Sequence, residues 1–161
     1  MPLEHVITLP FPVDRVVELI CSERYNLEVQ QAREEVIEAH YERQAEDDAE
    51  LRYEVNCTAY KRTMKGSIDR RSTEQFKVTY RYDKAARQLK WQHHGEESHR
   101  ADVHGVTRFV AEGKGARVQR EVTIDIRIPL IGRAVAKLIE REMKKGFDEV
   151  ERRIRRMLAE T

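Results

Sequence analysis

The chain has 161 residues, of which 37% are charged, yet its formal net charge is only +1. This length suits one domain, residues 1–161, with a core that buries roughly 70% of the surface exposed on unfolding. The balanced charge argues against a nonspecific nucleic-acid partner, which would need an excess of basic residues. We find neither a targeting pattern at the start nor an apolar run of about 18 residues, and therefore expect a cytoplasmic protein.

The cysteine and histidine spacings imply no cofactor and no metal. Cys21 and Cys57 lie far apart in the sequence, and we expect both to be free and buried in a reducing compartment. Several histidines occur between His93 and His104. However, His93 and His94 would point to opposite faces of a strand, and no helical histidine pair accompanies them. We interpret this stretch as a solvated loop rich in charge.

The N-terminal part of the chain predicts a strand followed by two short helices. The strand covers Leu3–Leu9 and ends at Pro10 and Pro12, because proline has no N–H for a sheet ladder. Within residues 13–20 the apolar side chains recur at spacings of three, one and three, which is typical of one helical face. Ser22 is placed to cap a second helix that runs toward Arg33.

Alternating apolar and polar residues then predict an antiparallel meander with one buried face. We expect its first strand at residues 34–44, a turn at Asp47-Asp48, and further strands at 51–59, around 76–82, around 89–93 and at 103–111. The residues expected on the inner face are Tyr53, Val55, Cys57, Ala59, Phe76, Val78, Tyr80, Tyr82, Leu89, Trp91 and His93.

The last predicted strand contains one charged residue in its apolar row. Val118, Val122, Ile124, Ile126 and Ile128 occupy even positions, and Arg120 interrupts them. A three-residue hairpin loop would place Arg108 opposite Arg120, whereas a two-residue turn at 114–115 would place Phe109 there. The sequence leaves these two registers open.

A long C-terminal helix follows Pro129, because the apolar period changes there from two to about 3.6. We expect it to begin at Leu130 and to include Gly146, where alanine would be about 1 kcal/mol more favourable. The missing side chain would leave room for a ligand or for a closely approaching sheet residue, or the glycine is simply tolerated at an exposed position of the helix. The apolar stripe comprises Ile131, Val135, Leu138, Phe147, Val150, Ile154 and Met157.

This order of elements resembles the START-like or SRPBCC superfamily, which has the helix-grip fold. The segment Ile126–Gly132, which leads directly into the amphipathic helix, is similar to that of an uncharacterised bacterial branch. The resemblance covers nearly the whole chain. It implies an α+β fold in which a curved antiparallel sheet of about seven strands wraps around the terminal helix, and it implies a cavity between them.

The expected site combines apolar walls with a few polar groups, as small-molecule pockets usually do. Arg120 carries a permanent charge that needs a partner. That partner would be a ligand carboxylate or phosphate, an acidic residue on a neighbouring strand, or water at a rim. The candidate ligand-binding residues are Tyr53, Val55, Cys57, Val78, Tyr80, Trp91, His93, Arg120, Val122, Ile124, Met143 and Phe147.

Three functions compete at this point. The first is noncatalytic binding or transport of a small hydrophobic ligand, either lipid-like or aromatic. The second is a polyketide cyclase or aromatase, in which His93, Tyr80 and Arg120 would act on a flexible chain. The third is a protein-interaction module, against which the polar outer rows argue. Lys61, Arg62 and Lys65 are candidates for transient membrane contact. The oligomeric state stays open.

Overall fold

The structure is a computed structural model, and it describes residues 2–63 and 65–160. Within these residues the helices and strands follow one another in the predicted order. The elements are β1 (Leu3–Leu9), α1 (Val13–Ile20), α2 (Glu23–Gln31), β2 (Val36–Glu46), β3 (Glu50–Arg62), β4 (Ile68–Asp83), β5 (Gln88–His94), β6 (Ala101–Glu112), β7 (Gly115–Ile126) and α3 (Gly132–Ala159).

The strands form one antiparallel sheet in the order β1-β7-β6-β5-β4-β3-β2. Strands β2 to β7 pair with their neighbours in sequence, and β1 returns to pair with β7. Helix α3 packs over β1 and β7 and contacts α1, while α2 packs on β2 and β3. This is the predicted α+β helix-grip architecture, and the START-like fold is therefore confirmed.

Local sequence determines both short helices. Pro12 precedes α1 and has an extended ψ of 141°. The first N–H groups of a helix have no intrahelical acceptor, so the missing N–H of Pro12 removes no hydrogen bond from α1. Val13, Val16 and Ile20 bury the predicted face of α1. Ser22 caps α2 by accepting a hydrogen bond from the backbone N–H of Tyr25 at 3.2 Å.

The strand expected at 34–44 begins later, at Val36. Glu35 is buried in the preceding turn, where its carboxylate lies 2.7 Å from Arg33 and 3.1 Å from Arg62. Its carbonyl oxygen accepts a hydrogen bond from the N–H of Tyr60 at 2.8 Å. These ion pairs hold residues 34 and 35 in a turn that connects α2 to the sheet, although their sequence is compatible with a strand.

Both registers considered for the β6–β7 hairpin are wrong. The turn residues are Gly113 and Lys114, with Glu112 paired to Gly115, so that Thr107 lies opposite Arg120. Gly113 has a φ of 61°, which is the left-handed conformation that two-residue hairpin turns require at their first position. Arg108 therefore lies on the outer face of the sheet, 3.5 Å from Glu121.

Helix α3 begins two residues after the expected start. Leu130 has a φ of 70° and a fully exposed side chain, so it belongs to a turn. Ile131, expected in the apolar stripe, is 42% exposed at the N-cap. The close-packed core lies at the other end of the helix, where Ile154 and Met157 are fully buried.

Among the described residues no helix is long and apolar enough to cross a membrane.

Candidate ligand-binding site

The inner face of the sheet carries two apolar patches that meet at Trp91. One patch lies on β2, β3 and β4, the other lies on β1, β6 and β7, and Trp91 on β5 packs against both. Met143 and Phe147 of α3 pack against the second patch. The first patch comprises Ala39, Val55, Cys57, Ala59, Phe76 and Val78, and the second comprises Leu3, Val103 and Val122 with Ile124 beside them.

The predicted ligand-binding residues fall into two groups by exposure. Those that are closely packed are Tyr53, Val55, Cys57, Val78 and Val122. Those that are half-buried are Tyr80, Trp91, His93, Arg120, Ile124, Met143 and Phe147. A side chain on the inner face can keep partial exposure only where the space beside it admits solvent. We infer that the half-buried group borders a cleft between the sheet and α3, with the packed group as its floor.

A glycine that the sequence reasoning missed determines how Trp91 lies in this cleft. Gly105 on β6 is the cross-strand partner of both Trp91 and Val122. A Cβ at position 105 would lie 2.5 Å from the nearest indole carbon. The indole ring therefore lies directly over the glycine, because β6 has no side chain at this point. A glycine inside an alternating strand was the available signal, since it often marks such close approach.

Three stacked tyrosines form the wall on β2, β3 and β4. The ring centroids of Tyr41 and Tyr53 are 5.1 Å apart, and those of Tyr53 and Tyr80 are 4.6 Å apart. The Tyr41 hydroxyl donates a hydrogen bond to the carbonyl oxygen of Cys21 at 2.9 Å. Burial raises the pKa of Tyr53 and Tyr80 well above the usual range. Both phenols are therefore neutral, and the buried Tyr53 hydroxyl has no hydrogen-bond partner in the described chain.

Arg120 projects into the space beneath α3, where it meets a histidine. Its Nη1 donates to Nδ1 of His5 at 3.2 Å, and its guanidinium carbon lies 5.7 Å from the centroid of the Phe147 ring. His5 and Phe147 are stacked at 4.3 Å. Burial and the neighbouring Arg120 charge lower the pKa of His5, which keeps its nitrogen available as an acceptor. Arg120 makes no ion pair with any residue in the described ranges.

His93 and His94 lie on opposite faces of β5, as their adjacency predicts. His93 stacks on Phe76 at 5.1 Å on the inner face, whereas His94 lies 3.0 Å from the hydroxyl of Thr79 on the outer face. Burial and then the charge of Arg33 lower the pKa of His93. The imidazole is consequently neutral at physiological pH and sits in an aromatic environment. No group of three potential metal ligands occurs in residues 2–63 and 65–160.

The residues proposed for cyclase chemistry are distributed along the sheet. His93 lies level with Val78, while Arg120 lies level with Thr107. Following the ladders, two strand spacings and about four residues of rise separate their backbones, which corresponds to about 16 Å. A shared proton transfer between these two side chains would need bridging by a substrate.

A depression of about 660 Å³ lies on the opposite face of the sheet. Its lining includes Glu38, His40, Lys77, His94 and Glu96. These polar and charged groups belong to the solvated outer row, so we assign the depression to the protein surface and not to a site for an apolar ligand.

The basic hairpin between β3 and β4 is largely ion-paired. Lys61 lies 3.2 Å from Glu96, and Arg62 lies 3.1 Å from Glu35. Met64, the apolar residue of this turn, lies outside the described residues. These acidic partners reduce the positive charge available for an anionic surface. Membrane contact through Lys61, Arg62 and Lys65 stays a prediction.

A family model matches residues 4–158, nearly the whole chain. The chain belongs to the DUF2505 family. The description of the DUF2505 family is "protein of unknown function", so membership assigns no activity. No protein with a curated description matches the chain.

Solved structures share the fold of this DUF2505 chain at low sequence identity. The protein TTHA0849 from Thermus thermophilus has a TM-score of 0.65 and 18% identity, covering 99% of this chain and 97% of its own. The ZhuI aromatase/cyclase from Streptomyces sp. R1128 has a TM-score of 0.62 and 10% identity, covering 99% and 93%. A START superfamily protein from Mycobacterium smegmatis has a TM-score of 0.59 and 13% identity, covering 97% and 98%. These likenesses concern the fold alone.

Proposed function

We propose that this protein binds a small hydrophobic ligand, lipid-like or aromatic, between the inner face of its sheet and helix α3. The observation that carries this proposal is the row of half-buried side chains on both walls, including Trp91, Ile124, Met143 and Phe147. Such residues would be fully buried if the helix packed directly onto the sheet. Their remaining apolar surface is what a hydrophobic ligand would cover, at about 25 cal/mol for each Å² removed from water.

The packing of α3 supports the same proposal. The fully packed residues of the helix lie in its C-terminal part, at Ile154, Met157 and Leu158, whereas Met143 and Phe147 pack against the sheet and keep partial exposure. A Cβ added to Gly146 would meet no atom within 4 Å. Gly146 precedes Val150 by four residues and Met157 by eleven, spacings that place these positions on one helical face. We take this open space beside Gly146 as part of the proposed ligand site.

A binder explains the cleft better than an enzyme does. Tyr80 stacks on Tyr53 and His93 stacks on Phe76, so both rings have packing partners in the aromatic part of the sheet face. Arg120 and His93 lie two strands apart in the sheet, so their side chains do not form one catalytic group. A cyclase like the ZhuI structure has the same fold at 10% identity, which transfers no chemistry. We therefore propose binding or transport without catalysis.

The single tryptophan makes the proposal directly testable, since Trp91 borders the cleft. Purified protein is titrated with dodecanoate and with 2-naphthoate while Trp91 emission is recorded, and native mass spectrometry of gently purified protein identifies any copurified species. We expect a saturable change with one ligand per chain. Gly146→Leu should weaken binding by filling the cleft, while Ala134→Leu, at an exposed position on the same helix, should not. Absence of saturable binding to any hydrophobic probe would refute the proposal.

A further inference from the structure

The connection between β7 and α3 exposes two large apolar side chains. Leu130 is fully exposed, and Ile131 is 42% exposed. The φ of 70° at Leu130 is a left-handed conformation that leucine rarely adopts and that asparagine or glycine adopts more readily. The N–H of Gly132 donates to the carbonyl oxygen of Ile128 at 2.9 Å and closes this turn. The fold thus presents a leucine to solvent in a strained conformation, which does not contribute to packing of the core.

A basic stripe follows this turn on the first half of α3. Arg133, Lys137 and Arg141 recur at spacings of four, which places them on one side of the helix, and all three are exposed. None of them makes an ion pair with a residue in the described ranges. Arg133 lies in the first turn of α3, which contains no acidic residue, although the positive end of the helix dipole favours an acid there.

The other charged residues in this half of the helix pair with one another. Lys144 lies 3.1 Å from Glu140, and Lys145 lies 3.3 Å from Glu142. Residues 132–145 include five basic and two acidic residues, a net charge of +3, whereas the whole chain has a net charge of +1. The remaining residues therefore have a net charge of −2, and positive charge is concentrated on this part of α3.

The exposed turn and the basic stripe both lie at the open end of the proposed cleft. The β6–β7 ladder runs from the hairpin turn at residues 113–114 to the pair of Ala101 with Ile126, so α3 begins at the end of the sheet opposite that hairpin. A Cβ at Gly66 would lie 3.6 Å from Leu138, which places the β3–β4 turn beside the same half of α3. We name this region the open-end surface, and it comprises Leu130, Ile131, Arg133, Lys137 and Arg141.

We infer that the open-end surface docks reversibly onto an anionic lipid bilayer. Leu130 and Ile131 enter the head-group region, and the basic stripe lies on the negatively charged head groups. Peripheral membrane binding generally combines such a small apolar insertion with electrostatic attraction to anionic lipids. Docking does not depend on whether the cleft holds a ligand. If the proposed function holds, docking places the open end of the cleft at the bilayer, where a hydrophobic ligand can enter without crossing water.

Other occupants of the open-end surface fit its chemistry less well. A two-fold contact with a second copy of the chain would bring two basic stripes together, and like charges in an interface repel each other. A nucleic acid would pair with the stripe through its phosphates, but it would leave the side chains of Leu130 and Ile131 in water. An anionic bilayer satisfies both the charge and the apolar residues.

Vesicle flotation of the full chain without added ligand tests the inference. Vesicles of phosphatidylcholine alone are compared with vesicles of equal parts phosphatidylcholine and phosphatidylglycerol. We expect binding to the anionic vesicles only, with a loss of binding as salt rises from about 0.05 M to about 0.5 M, because salt screens exposed charges. In a Trp91→Phe background, Leu130→Trp should shift its emission to the blue on vesicle binding and should be quenched by lipids with brominated acyl chains.

Variants separate the apolar and the basic contributions. Leu130→Asn should lower the vesicle partition coefficient about tenfold, because the inserted side chain is lost. This variant should keep its fold, because asparagine readily adopts a left-handed conformation. The triple variant Arg133→Gln/Lys137→Gln/Arg141→Gln should lower the partition coefficient about 100-fold, since each basic residue near an anionic surface contributes about fivefold.

A matched triple variant controls for net charge. Lys90→Gln/Lys114→Gln/Arg152→Gln removes three exposed basic residues outside the open-end surface and should stay within about threefold of the natural chain. Absence of binding to anionic vesicles at low salt would overturn the inference and leave this surface to a protein partner. Equal binding to both kinds of vesicle, or equal losses in the two triple variants, would overturn it as well. Because no ligand is added, each of these results would leave the proposed hydrophobic binding unaffected.

Discussion

Replacing Gly105 by alanine adds one methyl group at the most crowded point of the inner face. The new Cβ would lie 2.5 Å from one indole carbon of Trp91 and 2.6 Å from two further ring atoms. Ordinary van der Waals contacts of a Cβ lie at 3.4–4 Å. The indole must therefore move by about 1 Å, or the two strands must separate.

The expected cost follows from two opposing terms. Overpacking a closely packed site typically costs about 1–3 kcal/mol. Alanine recovers about 0.5–1 kcal/mol, because it loses less backbone entropy than glycine on folding. We therefore expect Gly105→Ala to reduce the free energy of unfolding by about 1–2 kcal/mol and to shift Trp91 emission, because the ring moves relative to the cleft.

Urea unfolding followed by circular dichroism and by Trp91 fluorescence measures both effects. Gly146→Ala is the matched control, since its Cβ would meet no atom within 4 Å. That substitution should increase the free energy of unfolding by up to about 1 kcal/mol through helix propensity alone. The two substitutions add the same methyl group and should change stability in opposite directions.

A second background isolates the contact with the indole. In a Trp91→Leu protein the added methyl at position 105 has no ring to displace, so Gly105→Ala should be neutral or stabilising there. If Gly105→Ala leaves both stability and Trp91 emission unchanged in the otherwise natural chain, the indole does not lie over the glycine and this account of the cleft is wrong.

Three further predictions concern titrating groups. Because His5 and His93 have lowered pKa values, the unfolded chain binds more protons than the folded chain below pH about 6.5. The free energy of unfolding should therefore fall as the pH is lowered from 7.5 to 5.5. In urea titrations at several pH values, the double variant His5→Gln/His93→Gln should show a smaller fall. Glu35→Gln should reduce the free energy of unfolding by about 1–2 kcal/mol near neutral pH, because it leaves two arginines without their carboxylate. Burial favours the neutral acid, but the arginines hold the pKa of Glu35 below its usual value, so this reduction should become smaller as the pH falls below about 4.5. Equal stability of the two proteins at pH 7 would contradict the prediction. Burial raises the pKa of Cys21 to about 12 and that of Cys57 to about 11, so a thiol reagent at pH 8 should label both slowly in the native state and rapidly in urea; fast native labelling would show that one of them is accessible.

The sequence predicted the elements whose signals are local. Strand β1 and helix α1 have the predicted bounds, because prolines separate them and each has a clear apolar period. The cap at Ser22 and the buried row on β3 were also readable from neighbouring residues. Three local predictions failed at turns. The start of β2 was placed at residue 34, the start of α3 was placed at Leu130, and both hairpin registers were wrong, since turn geometry depends on backbone angles that several residue types can adopt.

The candidate site was only partly accessible to sequence reasoning. Alternation identified the residues of the inner face, including Tyr80, Trp91 and Arg120. It did not identify Gly105, because the position of this glycine under the indole of Trp91 depends on how β5 pairs with β6. His5 lies two residues from both Leu3 and Ile7 in β1, so the sequence predicts that it shares their inward face. The sequence does not predict its contact with Arg120.

The sequence by itself determined which residues face inward, because side-chain direction follows the periods of strand and helix. Only the tertiary structure decided how far α3 stands from the sheet, which side chains keep partial exposure, and which polar groups meet. These properties arise from contacts between residues far apart in the chain, such as His5 with Arg120 and Gly105 with Trp91. Periodicity carries no information about such contacts, since each depends on the relative position of two elements and not on the pattern within either.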